Sequence, residues 1–478
     1  MKKKVVLFFL FLILALSIFL HFFRLSYPNR IVFDEQWYAS SAASYLSHKY
    51  YFDAHPPLGK ILISASGKLF GFKDPSGNFY FNHNESYLSK SSYLPFRLLP
   101  AILGIFLPIL GWFIVKELKG SNKAAFLCSA FLLFDNALLL QSRFVLLEIF
   151  LVFFYLSSIF LYLKLINQKK YTKKWYIFLI LLGLSLGIVI SVKWTGFLVL
   201  ATIIFLEIIK LINKQIISGG GLSNFFQKNK KYFTAIFLGI LFLPLLVYIF
   251  SFFVHFSLLN SSRNPKNFSD PLLYVDKEKE IKDGPFVFYY KEPDGNFFEK
   301  FFKVHKQMIS IFSVTGDHPY SSSWWKWPTG GKAMLYYSEE NVHLYLMGNP
   351  IVWFLGFFGI ISIFFIPYLA KRKKEKLPSF LKKPDILYFY FFSWLVFIGV
   401  KRTSFLYYYL VPLCLSIIIF SLCFDYFAKN MIKKKKNIIF GLILFIVFLS
   451  FVFYLPLTYG IPLSDKALSL RLWFPLWK

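Results

Sequence analysis

Met1–Phe23 reads MKKKVVLFFLFLILALSIFLHFF, and a short connection later Phe33–Ile63 reads FDEQWYASSAASYLSHKYYFDAHPPLGKILI. The first stretch is a basic tract followed by an apolar run of about 19 residues, long enough to cross a bilayer. It is longer than a signal-peptide core and no small-residue cleavage pattern follows, so it reads as a retained span. The second stretch sets an Asp-Glu pair, two histidines and a His-Pro-Pro turn directly after that span. Charged groups are expensive near hydrocarbon and are kept where they are used. The pairing of these two stretches points to a membrane protein with chemistry at one face.

Composition supports the same reading. Of 478 residues, 57% are hydrophobic, 22% aromatic and 16% charged, whereas a soluble domain carries about a quarter charged. The net charge of +30 does not read as a nucleic-acid surface, because the Lys and Arg sit mainly in short tracts between apolar runs. Cys128, Cys414 and Cys423 all lie inside apolar runs, with no CxxC spacing, which argues against a disulfide framework or a thiolate metal site.

Apolar runs near the bilayer length of about 20 residues fall at about 5–23, 96–115, 124–140, 146–166, 175–192, 195–212, 232–256, 350–370, 385–400, 405–427 and 437–458. The expectation is therefore an all-α polytopic membrane protein with about eleven spans. With the N-terminus cytoplasmic, MKKK, KELKGSNK, NQKKYTKK, the stretch 213–231, KRKKEKLPSFLKK and KNMIKKKK all fall on the inner side, as the positive-inside rule requires. Residues 1–478 then form one membrane domain. Its first large outer loop is 24–95, its second is 257–349, and a four-helix membrane region occupies 350–478. In the first loop EQWYASSAASYL reads as a helix with Asp34 near its N-cap. Pro56 and Pro57 open a second helix, whose Leu58, Ile61, Leu62, Ala65 and Leu69 share one face. Such a face suits the membrane surface.

That topology collects polar residues at the outer ends of the spans: Asp34, Glu35, Asp53 and His55 in the first loop, Arg97 at the second span, Gln141, Arg143 and Glu148 around QSRF, Lys193 in SVKWTG, Lys401 and Arg402 in KRTSF, and His318 with the aromatics of HPYSSSWWKWP. Each has a plainer reading. Asp34 can simply cap a helix, Glu35 can be a solvated first-turn acid, and His55 can fix a turn. Arg143 can pair with Glu148. Lys193, Trp194 and the tryptophans can be interface anchors. Their common side carries the argument: carboxylates and cations at one outer face suit a charged, lipid-borne substrate, whose phosphate an arginine fork can grip.

These motifs resemble the protein O-mannosyltransferases, a family of the C-type membrane glycosyltransferase fold (GT-C). The Asp-Glu pair with YYFDAHPPLGK, then LLLFDNALLLQSRFVLLEIFLVFF, SVKWTG, HPYSSSWWKWP and RTSFLYYYLVP occur in family order across nearly the whole chain. The chain departs from the family at Glu148, where Asp is usual, at Trp324 for Pro, and at Tyr408 for His. The second loop is too short for the beta-trefoil insert of eukaryotic members, which implies a prokaryotic-type member in the plasma membrane.

The resemblance implies an inverting transfer of mannose from a polyprenyl-phosphate carrier to Ser or Thr hydroxyls of secreted or membrane proteins. On this reading Asp34 is the base, with Glu35 beside it in the catalytic pair. Arg97, Gln141, Arg143, Lys193 and Arg402 hold the donor phosphate. His55, Glu148, Trp194, His318, Trp325 and Trp327 line the sugar or acceptor site. No cofactor or obligatory metal is implied, and the chain shows no DxD-like motif. The partners are the lipid-linked donor, the acceptor protein and membrane lipids, with no nucleic acid; family members often pair as dimers. Two rivals stand beside this reading. One is a same-fold transferase acting on a lipid or envelope glycan, like the aminoarabinose transferases. The other is a transporter or structural membrane protein; a transporter would carry charges deep in its spans and paired discontinuous helices.

Overall fold

The computed structural model describes residues 3–72, 93–218, 222–261, 292–312 and 318–477. Residues 73–92, 262–291 and 313–317, parts of the two outer loops expected from the sequence, lie outside the described residues. The helices are α1 (Lys3–Phe22), α2 (Glu35–Ser47), α3 (Leu58–Leu69), α4 (Leu94–Glu117), α5 (Asn122–Leu133), α6 (Asn136–Arg143), α7 (Glu148–Ile166), α8 (Lys173–Val192), α9 (Phe197–Ser218), α10 (Leu222–Ile236), α11 (Leu243–Leu258), α12 (Phe297–Phe312), α13 (Pro350–Arg372), α14 (Ser379–Lys382), α15 (Asp385–Leu395), α16 (Leu410–Ala428) and α17 (Lys433–Tyr459).

Among the described residues nine helices are long and apolar enough to cross a membrane, or ten if the bent pair α5–α6 counts as one span. The eleventh run, at 385–400, folds as the shorter apolar helix Asp385–Ile398. The run at 124–140 is bent by 55°, and Asp135 is the cause. Its buried carboxylate caps α6 by accepting from Leu138 N at 3.0 Å, and also accepts from Asn349 N at 3.1 Å and Trp353 Nε1 at 2.9 Å. In a continuous helix the Leu138 N–H would bond the Phe134 carbonyl; here Asp135 takes that N–H and Asn349 Nδ2 donates to the carbonyl at 2.9 Å, so a new helix is capped where the span bends. Removing those bonds leaves buried N–H groups unpaired, at about 1–3 kcal/mol each. Asp135→Ala is therefore expected to lower the thermal unfolding midpoint in detergent by several degrees; an unchanged midpoint would show that the break does not depend on this carboxylate.

α16 is buried on nearly every side, and α1 and α17 lie outermost with long apolar exposed faces. An all-round apolar helix belongs inside the bundle, while lipid covers the outer ones. α3 buries Gly59, Lys60, Ile63, Ser64, Ser66 and Gly67, so its small face packs inward. Of the expected apolar face, Ile61 and Leu62 pack against the core, while Ala65 and Leu69 are exposed, Leu69 at 78%.

One element was not legible as such: Met334–Glu339 (β1) and Val342–Leu346 (β2) form an antiparallel hairpin with a register break between Leu335 and Tyr337. Met334 and Tyr336 face inward by the ordinary alternation of a strand. Gly330 (φ +96°) and Gly331 (φ +51°) make the preceding turn in left-handed conformations open to glycine.

Candidate functional site

Phe33 sets the corner. It adopts a left-handed backbone, φ +50°, a conformation a large side chain avoids. Its ring lies flat on Tyr336, with centroids 4.2 Å apart and planes 5° apart. Gln141 Nε2 donates to the Tyr336 hydroxyl at 2.7 Å and holds that ring in place. Asp34 follows at the head of α2. Its carbonyl accepts from Trp37 N and Tyr38 N, but its carboxylate makes no capping bond. A side chain of the helix-capping type is thus left uncommitted to the helix. Burial pushes the Asp34 carboxyl up to about 7, and the negative charges of Glu148 and Asp53 add to this against the pull of Lys193.

The groups around Asp34 come from distant parts of the chain. Glu148 opens α7 and forms a buried ion pair with Lys193, which lies between α8 and α9. Burial works against the Lys193 ammonium, yet Glu148 and its neighbours hold its pKa above the ordinary lysine value. The ammonium also sits 5.4 Å from the centre of the Tyr407 ring. The His-Pro-Pro turn is stapled from within: His55 N donates to Asp53 Oδ1 at 2.6 Å, Lys60 Nζ donates to the His55 carbonyl at 2.7 Å, and Lys60 pairs with Asp53 at 3.2 Å. Burial, then the cations Lys193, Lys60 and Arg402, drive the His55 imidazole well below its ordinary range, so it is neutral there. Its ring faces Tyr38 at 6.4 Å.

Four of the expected site residues have other work in the structure. Glu35 is fully buried and spent: Arg97 Nε and Nη2 donate to its two oxygens at 2.8 and 2.7 Å, Val32 N at 3.0 Å and Val145 N at 2.9 Å. Arg97, equally buried, gives its remaining donors to the carbonyls of Leu25, Pro28 and Arg30. A bidentate pair with every lone pair used neither takes a substrate proton nor grips a phosphate. Arg143 is buried as well. It donates to the carbonyls of Phe23 at 2.6 Å and Arg24 at 2.8 Å, and lies 4.2 Å from the Tyr459 ring. These arginines clamp the exit of α1 to the bundle. Gln141 likewise positions Tyr336 rather than a phosphate.

The aromatic segment divides between two tasks. Trp327 is fully buried, its ring 5.1 Å from Phe397 and its Nε1 donating to Ser322 Oγ at 2.9 Å. It cannot stack on a sugar. Trp325, 60% exposed, lines a cleft of about 770 Å³ with Lys326, Lys332, Lys401 and Arg402. Phe397 also borders a separate narrow slot lined by Glu148, Tyr407 and Tyr408. His318 is exposed and packs edge-on to Phe405 at 5.0 Å. Trp194 donates to the Tyr248 hydroxyl at 2.9 Å, beside His305. Tyr38, Tyr336 and Tyr407 were not singled out from the sequence; only the YYY run gave any hint of the last. Among the described residues no group of three or more His, Cys, Asp or Glu is placed to share a metal ion.

A family profile described as dolichyl-phosphate-mannose-protein mannosyltransferase matches residues 11–260, and one described as the C-terminal four-transmembrane region of protein O-mannosyltransferase matches 297–477. Over 252 residues the chain is 30% identical to dolichyl-phosphate-mannose–protein mannosyltransferase 2 of Candida albicans, covering 52% of this chain and 32% of that protein. Over 260 residues it is 30% identical to protein O-mannosyl-transferase 2 of Danio rerio, covering 53% and 33%. The aligned stretch is thus about a third of the length of these relatives. The fold resembles the Saccharomyces cerevisiae protein O-mannosyltransferase Pmt1-Pmt2 complex bound to the sugar donor, with TM-score 0.82, 16% identity, and 100% of this chain and 93% of that chain covered. It resembles more loosely the archaeal oligosaccharyltransferase AglB of Archaeoglobus fulgidus, with TM-score 0.53, 12% identity, and 97% and 57% covered. The chain has the C-type membrane glycosyltransferase fold.

Proposed function

Since the chain belongs to the protein O-mannosyltransferase family, we propose that it moves mannose from a polyprenyl-phosphate carrier to Ser or Thr hydroxyls of proteins. The observation that carries this reading is Asp34: a carboxylate whose pKa is pushed up to about 7, uncommitted to its helix, and set in the field of the buried Glu148–Lys193 pair. As the acceptor oxygen bonds to the sugar's anomeric carbon, its proton passes to Asp34 and the bond to the phosphate oxygen breaks. The phosphate leaves with the electron pair, and Arg402 and Lys193 meet its charge. A single displacement inverts the anomeric centre. Trp325 offers its exposed face to the sugar or the acceptor chain, and neutral His55 and Glu148 orient the groups around Asp34. We place the site on the extracytoplasmic side of the plasma membrane, with the N-terminus cytoplasmic. The basic tracts that lie at the other ends of the spans support this. A paired assembly, as in the two-chain yeast relative, is checked by mass photometry of the detergent-solubilised chain.

The direct test supplies membranes holding the full chain with polyprenyl-phosphate mannose and a Ser/Thr-rich peptide. Mannosylated peptide is the expected product. Transfer to extracted lipid with none to peptide would move the acceptor to the envelope-glycan class.

The pH profile provides a second check. A base with pKa about 7 is protonated below that value, so kcat/KM should fall about tenfold per pH unit on the acid side and level above it. Glu148→Gln removes a negative neighbour and moves the inflection to lower pH; Lys193→Gln moves it higher. An inflection that stays put in both variants would detach it from Asp34. Arg402→Ala, which removes a charge-assisted contact worth about 1.5–3 kcal/mol, should lower kcat/KM for the lipid donor by about 10- to 100-fold, measured by donor titration at saturating peptide.

A further inference from the structure

A second cavity, also of about 770 Å³, opens at the opposite end of the bundle from Asp34. Its size falls in the range of small-molecule sites, about 300–1,000 Å³. It lies between the end of α4, the end of α7, the start of α8, the second half of α9, α10 and the α14–α15 connection, on the face that carries the basic tracts. One wall is apolar, built of Leu163, Ile166, Leu206, Leu211, Phe380 and Tyr388.

Six lysines line the cavity against three carboxylates, and two of those carboxylates are already neutralised inside the protein. Glu207, 5% exposed, accepts from the Tyr162 hydroxyl at 2.8 Å and from the Tyr232 hydroxyl, and pairs with Lys210 at 3.2 Å. Glu117 pairs with Lys164 at 2.7 Å and accepts from Asn167 at 3.0 Å. What faces outward is therefore an excess of positive charge. Lys119, Lys170, Lys214, Lys382 and Lys383 are all exposed at the rim. Lys170 is pinned over the Tyr232 ring at 3.5 Å, and Lys214 is held by Asn229 Oδ1 at 2.7 Å. An apolar slot beneath a cationic rim, set at the ends of the spans, has the polarity of an anionic phospholipid reversed in charge. A soluble anion would leave the apolar wall wet, and a zwitterionic lipid would gain little from the lysines.

We propose that this cavity binds an anionic glycerophospholipid of the leaflet on the basic face, its phosphate on Lys170, Lys382 and Lys383 and an acyl chain along Leu163, Leu206 and Phe380. This site shares no residue with the transfer chemistry and does not depend on the proposed activity.

Native mass spectrometry of the full chain, purified with equal amounts of phosphatidylglycerol and phosphatidylcholine, tests it. The wild-type chain should retain phosphatidylglycerol at least tenfold over phosphatidylcholine. The combined variant Lys170→Gln, Lys382→Gln and Lys383→Gln should level the two, and the corresponding triple Lys→Arg variant should keep the preference. These lysines are exposed, so their loss leaves the core packing intact. A charge-preserving variant, Leu211→Trp, which fills the apolar wall, should also lose phosphatidylglycerol and decides the matter if the lysine variant does not purify as a single species. Equal retention by the wild type, an unchanged preference in the Gln variant, or unchanged retention in Leu211→Trp would overturn the site. Displacement of bound lipid by millimolar inorganic phosphate would assign the rim to a soluble phosphate instead, and overturn the lipid.

Discussion

Asp34→Asn should lower the rate of mannosyl transfer by about 10²- to 10⁴-fold, the range set by removal of a positioned general base. Asn keeps the shape of the side chain and loses only the ability to take a proton. Structural damage is not expected, because the carboxylate makes no bond to the helix it heads. There is even a gain on one side of the pH scale. The folded-state pKa, about 7, lies above the ordinary value of 3.8, so the folded protein binds this proton more tightly than the unfolded chain. Ionising Asp34 therefore weakens the fold progressively from about pH 4 to pH 7, and the full cost applies above that window. Asn carries none of it. The variant should then match or exceed the wild-type unfolding midpoint at pH 8 while transferring almost no sugar. Normal transfer by this variant would remove Asp34 from the chemistry; a collapsed midpoint would make it structural.

Glu35→Gln, one residue away, should do the reverse. Glu35 and Arg97 are both 0% exposed, and removing one partner of a buried ion pair costs about 3–5 kcal/mol because the other charge stays behind. Three backbone carbonyls and two backbone N–H groups depend on the same pair, so the loss extends to the loop geometry. The expected result is a large drop in unfolding midpoint and in the yield of monodisperse protein. Activity should fall in proportion to the folded fraction, with the pH profile of the surviving enzyme unchanged. A variant of wild-type midpoint with abolished transfer would return Glu35 to the catalytic pair. Replacing both residues by leucine restores charge balance but leaves the carbonyls of Leu25, Pro28 and Arg30 bare, so only partial recovery is expected.

The contrast between these neighbours shows what a sequence can and cannot disclose. Run length laid out most of the spans, because crossing hydrocarbon is a local requirement written in consecutive residues. The bend at Asp135 was not visible, since its cause is a capping carboxylate whose other partners, Asn349 and Trp353, lie more than two hundred positions on. Asp34 could be picked out because its neighbours in sequence and its outer position agree. The commitment of Glu35 could not, because Arg97 is 62 positions away. Arg143 read as a phosphate ligand for a similar reason. Its real partners are backbone carbonyls, which every residue carries and no motif marks. Trp325 and Trp327 are two apart, and only the tight helical turn from Trp324 to Thr329 decides which ring faces solvent.

The Glu35–Arg97 clamp has a consequence for biosynthesis. All of its participants, from Leu25 to Val145, lie in the first third of the chain, whereas the groups that set the acidity of Asp34 and hold its flank come from Glu148, Lys193, Tyr336 and Tyr407. A chain emerging N-terminus first can lock the corner before most of the bundle exists. Its proton affinity is fixed only when the later helices dock. A nascent chain halted just before α7 would thus carry a formed clamp beside an Asp34 that still lacks its charged neighbours Glu148 and Lys193.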